Sequence, residues 1–290
     1  MRILIASLFF RKYTGSELYV LHVAKGLKAM GHNVTVTSPY MDYPLIAEAE
    51  MAGVQVKAWT ELTGREAYNV IHVQHKQVTE HLCVLFPTTP KVATIHSVFY
   101  DLERPVKHES IKGYISIAQH EKHEIHARYG VPLNKISVIY NPVDYSRFNT
   151  DGVQDGGYVL LAGTVDFMRK AMIYDAAAWC KENDRPFVLV GYDHGDYLKD
   201  LIDRFPVHYC DSVSNIETLV KGCHFACGLH IGRTTIEAWM CGKGVMSYHF
   251  NAEGAVTKRD MLTVPADIAN YRSETVCGQL YALYLKAIKG

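Results

Sequence analysis

Residues 224–248, HFACGLHIGRTTIEAWMCGKGVMSY, constrain the fold of this chain more than any other stretch. They read as a buried strand (225–230), a short glycine turn, a helix, a second glycine turn and another apolar strand. An apolar run, an amphipathic segment and a second apolar run form the pattern of a parallel β-α-β crossover, covered on both faces. Thr234 and Glu237 stand at capping-box spacing, which predicts a helix beginning at Thr234. Ile236, Trp239 and Met240 share one face of that helix, and Glu237 lies at its edge in the first turn.

Two readings of Glu237 are open on these residues alone. In one it reaches back to the Thr234 N–H as part of the cap. In the other its carboxylate accepts hydrogen bonds from a pair of sugar hydroxyls. The second goes with the helix start, where N–H groups after a small-residue turn receive phosphate oxygens. Gly232, Arg233, Thr234 and Thr235 are the candidate phosphate ligands, and the set suits a nucleoside diphosphate with its ribose alongside.

The same logic recurs along the chain. Residues 1–7 form an apolar strand followed by the polar turn RKYTGSE, a helical pattern to Met30 ended by Gly31, and the strand HNVTVTSP. Strands are predicted at 54–59, 69–74, 91–95 and 114–118, and QHEKHEIHARYGVP is a polar helix ended by Gly130 and Pro132. The second half restarts with a strand in YVLLAGT, a basic entry to a helix reaching Lys181, and strands in RPFVLVG and 208–210. SVSNIETLVKGC is a helix with Ser214 as cap and Glu217 at the box position, 251–272 is irregular, and a helix capped by Ser273 ends the chain. Alternating strands and helices in both halves predict an α/β fold of two doubly wound domains facing each other across a cleft.

With 290 residues, 48% of them hydrophobic, the chain has apolar material for two cores. No apolar run is long enough to span a bilayer, and MRILIASLFF reads as a buried first strand because no small-residue cleavage site follows. Zero formal charge provides no global attraction to nucleic acid or anionic lipid. Seven irregularly spaced cysteines point to reduced thiols and a cytoplasmic protein. Cys223 and Cys227 have no second ligand pair, so zinc is not expected. No G-x-G-x-x-G occurs, which counts against a nicotinamide or flavin enzyme.

Individual residues divide between structural and chemical readings. Gly15 either ends a turn or lets the backbone approach a ligand. Strand ends deliver His72, His75 and His96 to the carboxyl edge of the first sheet, where open parallel sheets bind ligands. A lone strand-end histidine is otherwise a hydrogen-bonded structural residue. His120, His123 and His126 lie on a helix carrying as many charges as histidines, and the reading there is a solvated face. Arg169 and Lys170 at a helix start oppose the helix dipole, so they are either solvated or answered by a bound anion.

Several of these segments resemble retaining GT-B glycosyltransferases of family 4. EAWMCGKGVMSY is similar to the family's E-A-M-A-C-G-x-P-V-I-A, whose Glu holds the nucleotide ribose. The start resembles G-G-x-E…L-A-x-x-L-x-x-x-G-H-x-V-x-V, with Thr14 for the first glycine and Gly15 and Glu17 retained. KVATIHSVF is similar to x-V-x-T-x-H-D, whose His reaches the donor sugar. RYGVPLNKISVIYNPVDYSRFN looks like the family's domain joint, with Pro142 for glycine.

The resemblance implies a compact GT-B member with an acceptor-side domain (1–149) and a nucleotide-sugar-binding domain (150–290). It places the hinge just after Pro142, TDGVQDGG (150–157) as connector, and a last helix that can pack back on the first domain. It implies Glu237 on the ribose, Lys170 with Arg169 or Arg233 on the phosphates, Gly163 and Thr164 where the family has Gly-Arg, and His96 on the sugar. It also implies retention of configuration and no metal, in keeping with the absence of a D-x-D motif.

One departure is large. The family pairs two glutamates as Glu-x7-Glu, and the first position here is Leu229 with a shortened loop 230–232. Two rival readings therefore stand beside transfer from a nucleotide-diphosphate sugar to a hydroxyl. One is a phage-type transferase acting on hydroxymethylated DNA bases through Arg11, Lys12, Lys76 and Lys107. The other is a non-catalytic nucleotide-sugar binding protein. Carbohydrate, lipid and modified DNA base are all left open as acceptor, and so is the oligomeric state.

Overall fold

The computed structural model describes residues 1–98, 100–211, 213–229, 231–250 and 255–290. By contacts the chain divides into two compact units, Met1–Pro142 with Asn270–Gly290, and Val143–Ala269. The second unit begins at Val143 because the segment after Pro142 is tied to it. Arg147 pairs with Glu217 at 2.5 Å, Asn149 accepts from Lys221 at 2.9 Å, and Gly156 donates to Gly222 at 2.8 Å. Residues 150–157 thus lie hydrogen-bonded along the second unit.

Among the described residues the first unit has nine strands: β1 Arg2–Ala6, β2 Phe9–Phe10, β3 Asn33–Thr37, β4 Tyr40–Met41, β5 Gln55–Val56, β6 Val70–Gln74, β7 Lys91–Ile95, β8 Ile111–Ser116 and β9 Ile136–Val138. Seven form a parallel sheet in the order β5-β3-β1-β6-β7-β8-β9, and β2 pairs with β4 in a separate ribbon. Strand periodicity sends Ile3 and Ile5 to one face and Leu4 and Ala6 to the other, and each face has its own core. Helix α1 (Gly15–Ala29), helix α2 (Leu45–Met51) and the C-terminal helix (Ser273–Lys289) cover the first face. Helices α3 (Lys76–Leu85) and α4 (Gln119–Tyr129) cover the second.

The C-terminal helix is built into this unit. A side chain at Gly26 of α1 would come within 2.4 Å of Cys277 Sγ, so the glycine permits the close crossing of the two helices. Tyr284 completes the attachment. Its hydroxyl is 2.6 Å from His72 Nδ1, and His72 Nε2 is 2.6 Å from Thr94 Oγ1, all in the buried sheet. Burial and the neighbouring His96 hold His72 down to about 3, so the ring is neutral.

The second unit holds β10 Val159–Ala162, β11 Phe187–Val190, β12 Val207–Cys210, β13 Phe225–Leu229, β14 Gly244–Phe250 and β15 Val256–Leu262. Their order is β12-β11-β10-β13-β14-β15. All pairs are parallel except β14 and β15, which run antiparallel from Val245–Leu262 to Phe250–Val256. That last strand corrects the expectation of irregular structure over 251–272, of which 251–254 lie outside the described residues. Lys258, Arg259 and Asp260 sit exposed or half-buried on this edge, and charges on an edge strand hide its periodicity while blocking further pairing. The helices are α5 Lys170–Glu182, α6 Leu198–Arg204, α7 Ile216–Gly222 and α8 Arg233–Met240.

The predicted caps differ from those found. The N-caps of α7, α8 and the C-terminal helix are Asn215, Gly232 and Arg272, and none of them contributes a side-chain cap. Glu217 is taken by Arg147 and Glu237 by Arg233, so neither closes a capping box. Cys223 follows α7 and Cys227 lies within β13; both are buried, and all seven cysteines are free thiols.

Tyr284→Phe is expected to strand the buried His72 Nδ1 and to destabilise the first unit by about 1–3 kcal/mol. Urea unfolding with hydrogen exchange checks it: amides of the C-terminal helix and α1 lose protection first, whereas those of the second unit keep theirs.

Candidate functional site

In each sheet the strand order reverses beside the first strand, between β1 and β6 and between β10 and β13. Crossovers leave such a switch point toward opposite faces, and the carboxyl ends of the two strands open a crevice. The candidate residues collect at these two places, each described within its own unit.

In the second unit the crevice lies between the end of β10 and the start of α8. Thr234, in the first turn of α8, donates from Oγ1 to the Ala162 carbonyl at 2.9 Å and stitches the two together. Gly191 (φ 150°) lies so close beneath that a Cβ there would fall 1.9 Å from the Gly163 carbonyl oxygen, and only glycine lets β11 pass. Gly228 does the same under the helix, where a Cβ would meet Thr235 Oγ1 at 2.5 Å. Thr234 thus ties the first turn of α8 to Ala162, Gly228 lets the helix sit close on β13, and Gly191 packs against Gly163. Thr164 follows, half-buried.

The cations around this turn all have partners. Arg169 runs alongside Gly163 and pairs with Asp166, whose carboxylate also accepts the Arg169 N–H at 3.0 Å. The exposed Lys170 places its ammonium 5.2 Å from the centre of the Tyr197 ring and 5.9 Å from that of Tyr174. Arg233 Nε lies 2.7 Å from Glu237 Oε1. Glu237 is 5% exposed, and burial raises its carboxyl above the usual range against the opposing pull of Arg233 and Arg147. Gly163, Thr164, Arg169, Gly232, Arg233, Thr234 and Thr235 thus share one region, with Glu237 one turn deeper. Leu229 lies at the end of β13, and His230 is outside the described residues.

In the first unit the N-terminus of α1 meets the loop after β2. The buried Glu17 accepts the Arg11 N–H at 2.7 Å and the Lys12 N–H, which fixes the loop over 11–14. A Cβ at Gly15 would have no atom within 4 Å among the described residues, so the chain's own packing does not demand glycine there.

His96 ends β7, half-buried, with its Nε2 2.7 Å from Gln74 Oε1 and the Tyr19 ring edge-on at 5.0 Å. Burial, with a push from His75 against the pull of Glu103, lowers it to about 4. His75, at the end of β6, has a left-handed φ of 68° and is held by the Leu8 N–H on Nδ1 at 3.0 Å and by Glu103 at 3.3 Å. Glu103 also accepts the His96 N–H at 3.1 Å. Burial pushes the Glu103 carboxyl up, but the His75 hydrogen bond and the two imidazoles outweigh it and leave it below the usual range.

His72 belongs to the sheet core, as described above. Gln74 and Glu103 are the residues that sequence reasoning misses: neither stands in a motif, and both are drawn in by the fold. Glu121, in the first turn of α4, is a third. Burial, with Glu124 and Glu103 nearby, raises it to about 8. His120, His123 and His126 are exposed on α4. Among the described residues no group of three or more His, Cys, Asp or Glu is placed to hold a metal ion, and no helix is long and apolar enough to cross a membrane.

Three variants test these electrostatics. Arg233→Met leaves a buried carboxylate without its partner and should cost roughly 3–5 kcal/mol at pH 8, and less as the pH falls and Glu237 takes up a proton. Adding Glu237→Gln should recover most of the loss, as read by denaturant midpoints. For Glu121 the folded value of about 8 exceeds the ordinary 4.5, so between those limits the folded state binds the extra proton and stability falls as pH rises. Glu121→Gln should match wild type at pH 4 and exceed it by about 1–2 kcal/mol at pH 8, allowing for partial exposure.

Residues 13–147 match the family model of Glycosyltransferase Family 4. No curated protein matches the chain by sequence. By structure the chain is similar to a glycosyltransferase from Rickettsia africae ESF-5, with a TM-score of 0.72 at 14% identity over 99% of both chains. It is also similar to AviGT4, a glycosyltransferase involved in avilamycin A biosynthesis, with a TM-score of 0.72 at 16% identity over 100% of this chain and 98% of that one. Anabaena Alr3699/HepE in complex with UDP-glucose matches with a TM-score of 0.68 at 17% identity over 99% of this chain and 95% of that one. Residues 13–147 thus match the Glycosyltransferase Family 4 model, and the whole chain has the fold of GT-B glycosyltransferases.

Proposed function

We propose that this chain transfers a sugar, with retention of configuration, from a nucleoside-diphosphate sugar to an acceptor hydroxyl, and needs no metal ion to do so. The observation that carries the reading is the first turn of α8, held against Ala162–Gly163 with no side-chain cap at Gly232 and cations on either side. A helix start of this kind is an anion site, and the diphosphate of the departing nucleotide is the anion that sugar transfer frees. HepE was crystallised with UDP-glucose, which makes a uridine donor the first to try.

In this reading the N–H groups of Gly232, Arg233, Thr234 and Thr235 receive the phosphates, with Gly163 and Thr164 beside them. Lys170 leaves its tyrosine faces, and Arg169 or Arg233 its carboxylate, to neutralise the leaving group. Glu237 exchanges its bond to Arg233 for the ribose hydroxyls. The second unit, Val143–Ala269, serves the donor and the first unit the acceptor, with the open space at Gly15 admitting the ligand and His96 contacting the sugar. The absence of a D-x-D motif supports a metal-independent reaction driven by side-chain cations. Seven free thiols, six of them buried, support a reducing, cytoplasmic setting.

The DNA-directed reading gains less support. Lys76 follows the carboxyl end of β6 and pairs with Asp101 at 3.3 Å, whereas Lys107 lines a cavity with Ile111, Gly130 and Lys135 at the amino end of β8. The strands are parallel, so these two cations stand at opposite edges of the sheet and do not make one basic face.

Thermal-shift titration with UDP, the other nucleoside diphosphates and their sugars tests the proposal. A uridine ligand should stabilise the wild type, and Lys170→Ala and Glu237→Gln should each weaken its binding about 10- to 100-fold, the loss expected for a charge-assisted contact. Stabilisation by no nucleotide would overturn the donor site.

A further inference from the structure

Gln74 has no role in the reaction as described so far. It ends β6 with its side chain wholly buried, and its Oε1 lies 2.7 Å from His96 Nε2. The Nε2 of the same amide is buried with no hydrogen-bond partner among the described residues. Buried polar groups are nearly always paired, so an unpaired amide at a strand end beside a switch point points to a partner from outside the chain.

The contact with Gln74 also fixes the chemistry of His96. Facing a carbonyl oxygen, Nε2 carries the hydrogen, and the neutral ring leaves Nδ1 as a lone pair. Turning the amide over exchanges every role: Gln74 then donates to a bare Nε2, Nδ1 carries the hydrogen, and Oε1 is the unpaired atom. In either arrangement the pair offers one donor and one acceptor from adjoining groups. A hydroxyl, which donates and accepts at once, is the complement of that pair. An ammonium or a phosphate would match only half of it.

The surroundings keep the pair rigid. His75, next to Gln74, is held in its left-handed conformation by Leu8 and Glu103, and Glu103 also holds the His96 backbone. Backbone strain over-determined by two neighbours in this way is found where a site must be kept in one geometry. The Tyr19 ring packs edge-on against that of His96 at 5.0 Å.

We propose that Gln74 is a positioning and recognition residue: it sets the tautomer of His96, and its second amide atom pairs with a sugar hydroxyl that His96 Nδ1 also contacts. The inference deepens the functional reading above and rests on it. The hydroxyl belongs either to the sugar of the donor or to a saccharide acceptor, and the chemistry is the same for both.

The test uses the full chain with 15N-labelled histidine, in wild type, Gln74→Leu and Gln74→Glu. Long-range 1H–15N spectra should show His96 as a single neutral tautomer in wild type and a mixture in Gln74→Leu. In Gln74→Glu, which keeps the acceptor and the size of the side chain, the protonation of His96 should move to higher pH, while His75, Glu103 and Tyr19 stay as they are. UDP, UDP-glucose, and UDP with free glucose are then added. A donor hydroxyl predicts that UDP-glucose moves the wild-type His96 resonances where UDP does not. Gln74→Leu should then lose about 10-fold in affinity for UDP-glucose and none for UDP. An acceptor hydroxyl predicts the same for glucose added over UDP. A single unchanged tautomer in Gln74→Leu, or wild-type His96 resonances moved by neither sugar, overturns the proposal. Failure of UDP itself to bind wild type would instead overturn the donor site, and the tautomer measurement would still decide the role of Gln74.

Discussion

The structure depends on how closely the backbone can approach itself at the end of β10. Gly191 passes beneath the Gly163 carbonyl, Gly228 lies beneath Thr235, and Thr234 reaches across to Ala162. Gly228 and Thr234 keep α8 close on β13 and Ala162, so its first-turn N–H groups stand beside the switch point of the sheet. A parallel sheet makes such a crevice wherever its crossovers leave in opposite directions. Small residues turn the crevice into a fixed set of donors.

Charge is handled differently in the two units. In the second, carboxylates hold the cations: Asp166 holds Arg169, Glu237 holds Arg233 and Glu217 holds Arg147. Side chains paired in this way are kept in place, and a polyanion has only to exchange one acceptor for another. In the first unit neutrality dominates. Burial lowers His72 to about 3 and His96 to about 4 and, with Glu124 and Glu103 nearby, raises Glu121 to about 8, so these three are uncharged at neutral pH, whereas Glu103 is held ionised beside His75.

Much of the fold is legible in the sequence, because parallel strands buried on both faces write unbroken apolar runs. Residues 91–95 are read correctly to the residue, and Gly31 and Gly130 end their helices with positive φ as expected. The helix starts are less legible. Thr234, Ser214 and Ser273 carry the right chemistry for caps, yet the chain enters these helices one or two residues away, through loops whose geometry the sheet sets. Helix α3 begins directly after His75 with no capping residue, and nothing in the local sequence marks it. Among site residues, Gly15, His96, Lys170 and Glu237 stand in motifs and can be picked out. Gln74, Glu103 and Glu121 become visible only when β6, the loop after β7 and α4 converge. Their sequence neighbours carry no trace of that meeting.

The central claim is that the first turn of α8 is the phosphate site. The most direct measurement is an amide 1H–15N titration of the full chain with UDP. The account predicts that the amides of Gly232, Arg233, Thr234 and Thr235 shift most, with Gly163 and Thr164 moving beside them, as hydrogen bonds to the phosphates form. Binding of UDP that moves amides elsewhere and leaves 232–235 unchanged would contradict it.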